Sequence, residues 1–163
     1  MDALWIVVAL IAAAVIAAVA LSWHPVRRRL REKSLARMRR DFHLQRERLE
    51  AQFVRMAAHS GKPRGLEWVR CDFDDDVVYA RHRRSGEITA FVAVTVGFEA
   101  IEGGGMEEVE AVSNLRAATA VFRNQRGAWA TDGRTLFNLN PSEAVAFYQD
   151  NLELVGQEVA HHG

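Results

Sequence analysis

Residues 4–22 read LWIVVALIAAAVIAAVALS, a run with no charge and no proline. As a helix it spans ~28 Å at ~1.5 Å per residue, close to the ~30 Å hydrocarbon core of a bilayer. Trp5 and Trp23 bracket the run, and indole rings favour the two membrane interfaces. A cleaved secretory signal is the alternative, with Ala18-Val19-Ala20 as a small-residue cleavage site. The flanks argue for an uncleaved anchor. The amino-terminal side holds Asp2 and neither Lys nor Arg, whereas Arg27, Arg28, Arg29, Arg31 and Lys33 follow the run. Positive charge resists translocation, so the expected topology is a single pass through the inner (plasma) membrane, N-terminus out and body cytoplasmic. The same five cations are the expected contacts to anionic lipid headgroups, at ~1 kcal/mol each near the surface. Ala9, Ala13 and Ala17 form a small-residue stripe along which two anchors could pair.

The 163 residues carry no net charge, yet residues 23–70 sum to +9 and residues 71–163 to −8. Such a division marks an interaction segment joined to a folded domain. Pro25 is expected to end or kink the membrane helix. Residues 26–59 then hold good helix formers with neither Gly nor Pro, a basic helical stalk. Leu35, Met38, Phe42, Leu49 and Met56 share one register, with Gln45 and Gln52 interrupting it. Leu44 and Phe53 fall just beside that register and widen the stripe. A broken seam argues against a coiled coil and toward packing of Leu35, Met38, Phe42, Leu49, Phe53 and Met56 on the chain's own domain. Pairing of two stalks into a homodimer is the competing use. A nucleic-acid partner is not expected, because aromatic interleaving and recognition modules are lacking.

Ser60-Gly61-Lys62-Pro63-Arg64-Gly65 punctuates the chain, and strand periodicity begins at Leu66. Strands are predicted over 66–73, 77–82 and 88–98, with Asp74, Asp75 and Asp76 as a turn and residues 83–87 as a hairpin loop. Residues 88–98 are apolar on both faces, which places that strand centrally in its sheet. A further strand is predicted over 115–123, residues 106–114 being ambiguous. Asp132-Gly133 then predicts a hairpin between 128–131 and 135–139. Asn140, Pro141 and Glu143 form a capping box opening a helix whose stripe is Ala144, Val145, Tyr148, Leu152 and Val155, ended by Gly156. The fold class is therefore α+β: a transmembrane helix (1–23), a basic helical stalk (24–60), a linker (61–65) and a domain (66–157), with a disordered tail (158–163). The domain is an antiparallel β-meander with one C-terminal helix packed on it.

No catalytic signature is present. Asp72, Asp74 and Asp76 open like a calcium loop, but Val77 and Arg83 occupy the positions that need Gly and Glu. Gly103, Gly104 and Gly105 sit among Glu99, Glu102, Glu107, Glu108 and Glu110, which would repel a phosphate. That acidic loop and the basic stalk form a candidate latch, screened over ~8–10 Å by salt. The six histidines lack ligand spacing, and Cys71, the lone cysteine, excludes an intramolecular disulfide. No catalytic, cofactor-binding or metal-binding residue is assigned. Arg116, Arg123, Arg126 and Arg134 fall in or beside successive strands, without a common face being evident.

Residues 94–104 (VTVGFEAIEGG), with NLRAATAVF at 114–122, TDGR at 131–134 and FNLNP at 137–141, carry a resemblance. The domain, over about residues 64–155, resembles uncharacterised small single-pass membrane-anchored proteins of bacteria, of planctomycete type. That group has no assigned activity, so the resemblance implies no functional residue. The expected function is a non-enzymatic interaction or scaffolding module presented to an unknown protein partner at the bilayer. The alternative is a ligand-binding or sensor domain with a pocket between sheet and helix, lined by Trp68, Phe91 or Trp129. A membrane-bound enzyme is the third reading.

Overall fold

Residues rich in helix formers, interrupted by Pro25 alone, give one continuous helix, α1 (Asp2–His59), in a computed structural model that describes residues 2–60, 65–105 and 114–159. The helix runs on through Pro25 and does not end there. Proline there removes one amide donor, and the surrounding helix formers tolerate that loss. Among the described residues no helix is long and apolar enough to cross a membrane. The run at 4–22 lies partly outside them, because the side chains of 4, 9 and 19–22 are not described. The chain divides into two compact units, Met1–His43 and Leu44–Gly163. In the first, Trp5, Ile6, Leu10, Ile11 and Ile16 are all exposed.

The second unit combines the end of α1 with a six-stranded antiparallel sheet. Its elements are β1 (Leu66–His82), β2 (Ile88–Ala100), β3 (Arg116–Gln125), β4 (Ala128–Ala130), β5 (Thr135–Phe137), α2 (Pro141–Phe147) and β6 (Leu152–Glu158). The spatial order is β4-β3-β2-β1-β6, with β5 also on β3. β2 is central, as its two apolar faces require, and nine of its first eleven residues are buried.

Three expectations are corrected. Asp74, Asp75 and Asp76 do not end a strand; they bulge from a continuous β1, with Phe73 opposite Val94 and Val77 opposite Val92. The Asp74 carboxylate accepts the amides of Asp75 (2.6 Å) and Asp76 (3.4 Å), which supplies turn-like bonds inside the strand. Asp132-Gly133 does not join a hairpin, since β4 and β5 both pair with β3. The reversal is the two-residue turn Arg126-Gly127, both with positive φ (52° and 88°), between Gln125 and Ala128. Finally, the capping box at Asn140 and Glu143 forms, but the helix stops at Phe147 and residues 152–158 become β6 on the free edge of β1. Pairing that edge satisfies backbone groups that a longer helix would have left bare.

Both sheet faces are covered. On one lie Leu49, Phe53 and Ala57 of α1, each at most 1 % exposed, against a floor that includes Val77, Val92, Val96 and Phe122. The Phe53 ring meets Phe73 (5.6 Å), Phe122 (5.8 Å) and Trp68 (6.3 Å). These three helix residues step by four, so the buried row is narrower than the expected register. Met56 and Leu44 are exposed instead. A helix lying on a flat sheet needs only this row, whereas a helix pair needs the alternating threes and fours of a seam. On the opposite face Ala144 and Val145 of α2 pack on Val78, Ala80, Phe91 and Val121, with Leu136, Leu139 and Leu152 at the margin.

Candidate functional site

The α2 face is only partly roofed. Because α2 ends after two turns and Tyr148 caps it, a cleft of ≈ 490 Å³ remains beside it. Its floor is Phe91 and Val121, flanked by Leu136 and Leu152. Register sets the polar groups beside that floor. Phe91 pairs with Val121 and Thr89 with Arg123, so Arg123 projects on the same face two residues along. The amide of Val121 donates to the carbonyl of Arg134 (3.2 Å), which brings the second arginine alongside. His82, Glu87, Gln125 and Asn151 complete the rim.

Arg123 Nη1 lies 3.4 Å from Asp132 Oδ2. The Arg134 guanidinium carbon stands 5.7 Å from the centre of the Tyr148 ring, a cation–π arrangement, and among the described residues Arg134 has no carboxylate partner. His82 Nδ1 accepts the amides of Arg84 and Ser85, each at 3.3 Å, which places the ring proton on Nε2. The Ser85 hydroxyl donates to Glu87 (3.2 Å). The cleft thus joins an apolar floor to two guanidinium groups, with one carboxylate in its lining.

Two smaller hollows differ in character. One of ≈ 300 Å³ is bordered by Asp72, Asp74 and Glu143, of which Asp72 is held by Arg70 (2.5 Å) and Glu143 belongs to the capping box. Another of ≈ 270 Å³ lies between α2 and β6. Among the described residues no group of three His, Cys, Asp or Glu could hold a metal ion. Cys71 is half-buried on β1; desolvation, with help from Asp72 and Glu50, pushes its thiol up to about 12. That shift keeps the thiol protonated at neutral pH.

The stalk residues divide. Leu49 and Phe53 are buried in the second unit, Phe42 is buried too, Leu35 and Met38 are half-buried, and Met56 is 44 % exposed. Arg29 and Lys33 are exposed, while the side chains of Arg27, Arg28 and Arg31 lie outside the described residues. The acidic loop of the candidate latch is also outside them from 106 to 113. A different acidic segment meets the basic helix. Arg46 donates to the carbonyls of Asp74 and Asp75, lies 3.6 Å from the Asp75 carboxylate and bonds Glu50 (2.7 Å). Of the aromatic residues expected to line a pocket, Phe91 lines this cleft, and Trp68 and Trp129 do not. Trp68 meets Phe98 edge to face (5.2 Å) and Trp129 meets Tyr79 at a tilt (6.4 Å) in the other layer. Sequence reading left Arg123 and Arg134 without a common face; the alternation from Val121 to Arg123 was the signal for one, but none located Arg134. No protein-family profile, curated protein or solved structure matches this chain.

Proposed function

We propose that this chain is a membrane-tethered binding module, whose cleft between the sheet and α2 receives a small ligand and whose work is recognition rather than catalysis. The observation that carries the reading is the ≈ 490 Å³ cleft, where Arg123 and Arg134 flank an apolar floor. Its size falls within the range of small-molecule sites, and mixed lining of this kind supplies affinity from the floor and orientation from the polar rim. The tether is supported by the exposed apolar side chains of Trp5, Ile6, Leu10, Ile11 and Ile16, which a bilayer would cover, and by the cations after them. In this reading the amino terminus faces outward and the sheet unit lies in the cytoplasm. A second reading, a scaffold that presents the domain to a protein, is favoured by Phe147 (70 % exposed) and Leu154 (57 %).

The test is a panel of neutral, cationic and anionic fragments added to the isotope-labelled full chain in zwitterionic micelles. Amide resonances of Phe91, Val121, Arg134 and Leu136 are expected to move together for some members. A panel that moves none of them removes the ligand-binding reading and leaves the scaffold.

A further inference from the structure

We infer that the cleft takes a small organic carboxylate with an apolar or aromatic body, an assignment that rests on the binding reading above. The charge balance points to an anion: Arg123 and Arg134 stand against Glu87 alone in the lining. The two guanidinium groups are also underused. Arg134 is held by the Tyr148 ring and by no carboxylate among the described residues. Arg123 offers Asp132 one nitrogen at 3.4 Å, a loose pair, and that partner is more than half exposed. A guanidinium presents five donors in a planar fork that matches the two oxygens of a carboxylate.

The floor decides between kinds of anion. Phe91 and Val121 are already buried, at 3 % and 5 % exposure, so the apolar surface open to a ligand is that of the half-buried Leu136 and Leu152 beside them, and an apolar part of the ligand would lie there. A bare inorganic anion would leave that surface wet and gain nothing from it. Phosphate recognition commonly uses successive backbone amides from a glycine-rich loop or a helix start, and the cleft lining contains no glycine. One carboxylate set against the arginines, with a ring or short aliphatic chain against Leu136 and Leu152, uses both halves of the site.

The experiment titrates the labelled full chain in zwitterionic micelles with 3-phenylpropionate, with 3-phenylpropanol as its neutral counterpart, with acetate and with inorganic phosphate. Saturable shifts at Val121, Arg134 and Leu136 are expected for 3-phenylpropionate. The alcohol, acetate and phosphate should bind at least ~tenfold more weakly, the scale set by one charge-assisted hydrogen bond. Arg134→Gln and, separately, Arg123→Gln should weaken the acid at least ~tenfold while leaving the alcohol's affinity as it was. Arg55→Gln, on the exposed side of α1, should change neither. An alcohol that binds as well as the acid overturns the carboxylate assignment and spares the cleft. Phosphate binding more tightly than the acid overturns it as well. Absence of any shift at these amides with all four probes removes the assignment, and the fragment panel then decides whether the cleft reading falls with it.

Discussion

Gly133 lies directly against the backbone of α1, and replacing it separates two effects that glycine usually confounds. Its φ is +76°, and a Cβ there would stand 2.7 Å from the carbonyl carbon of Met56 and nearer still to the amide nitrogen of Ala57. Backbone atoms of a helix cannot step aside individually, so in Gly133→Ala the end of α1 must lift by ~0.5–1 Å. A gap of that size forfeits about a quarter to a half of the dispersion well. Leu49 and Phe53, both fully buried, contribute ~1.5–3 kcal/mol each by burial, so the lift costs ~1–3 kcal/mol. Left-handed strain adds ~1–2 kcal/mol. The expected total is ~2–5 kcal/mol. Gly86→Ala is the control, since Gly86 has the same φ of +76° and nothing within 4 Å of its Cβ position. It should cost the strain alone, ~1–2 kcal/mol. Urea unfolding of the full chain in micelles, followed by tryptophan emission, reads both variants. With slopes of ~1–3 kcal/mol/M, the midpoints should differ by roughly 1 M. Equal costs within ~0.5 kcal/mol would refute a close helix–edge approach.

Arg46→Met keeps the side chain's stem and removes its charge; with two carbonyls and Glu50 losing a donor, it should cost ~1.5–3 kcal/mol in the same unfolding assay. Asp75→Asn should cost under ~0.5 kcal/mol, because that side chain is 81 % exposed and the carbonyls still accept; a larger loss for Asp75 would mean the ion pair dominates. Cys71, raised from 9.0 to about 12, should hold roughly a thousandth of a free thiol's thiolate at pH 8, so a disulfide reagent should react with it far more slowly before urea than after. The same shift binds the proton more tightly in the folded chain, so its stabilising effect is complete below pH 9 and is lost as pH rises from about 9 to about 12; a Cys71→Ser chain with an unchanged alkaline stability profile would contradict it. A C-terminally tagged chain in spheroplasts should resist added protease until lysis, and digestion without lysis would move the sheet unit outside.

Patterns confined to one element were legible. The two-sided apolar run at 88–98 located the central strand, and Asn140-Pro141-Ser142-Glu143 located a helix start through bonds made within four residues. Patterns that depend on a partner were not. Leu152 and Val155 continue the helical stripe of Ala144, Val145 and Tyr148, yet the open edge of β1 draws residues 152–158 into a strand. Asp132-Gly133 has turn chemistry and does turn locally: the Thr131 hydroxyl donates to the Val121 carbonyl (2.9 Å) and accepts the Gly133 amide (3.1 Å). That turn shifts one edge segment to the next without reversing the chain. Gln52, which looked like an interruption, directs its amide at the Thr131 carbonyl (3.5 Å), a partner 79 residues away. The cleft was hidden for the same reason, since Arg134 reaches its floor only through pairing with β3.

β6 also sets the order of events during synthesis. It pairs with the Val77–His82 half of β1, so the sheet's second edge closes only with a segment that begins 70 residues after β1 ends. At ~5–20 residues per second the intervening chain takes roughly 4–14 s to make. Through that interval the neighbouring β2 and β3 can pair as they emerge, whereas the backbone edge at Val77–Ala80 has no strand to meet. The interval is long compared with the microseconds of hairpin formation. The pacing event for this unit is therefore arrival of residues 152–158 at an edge that has been waiting for them.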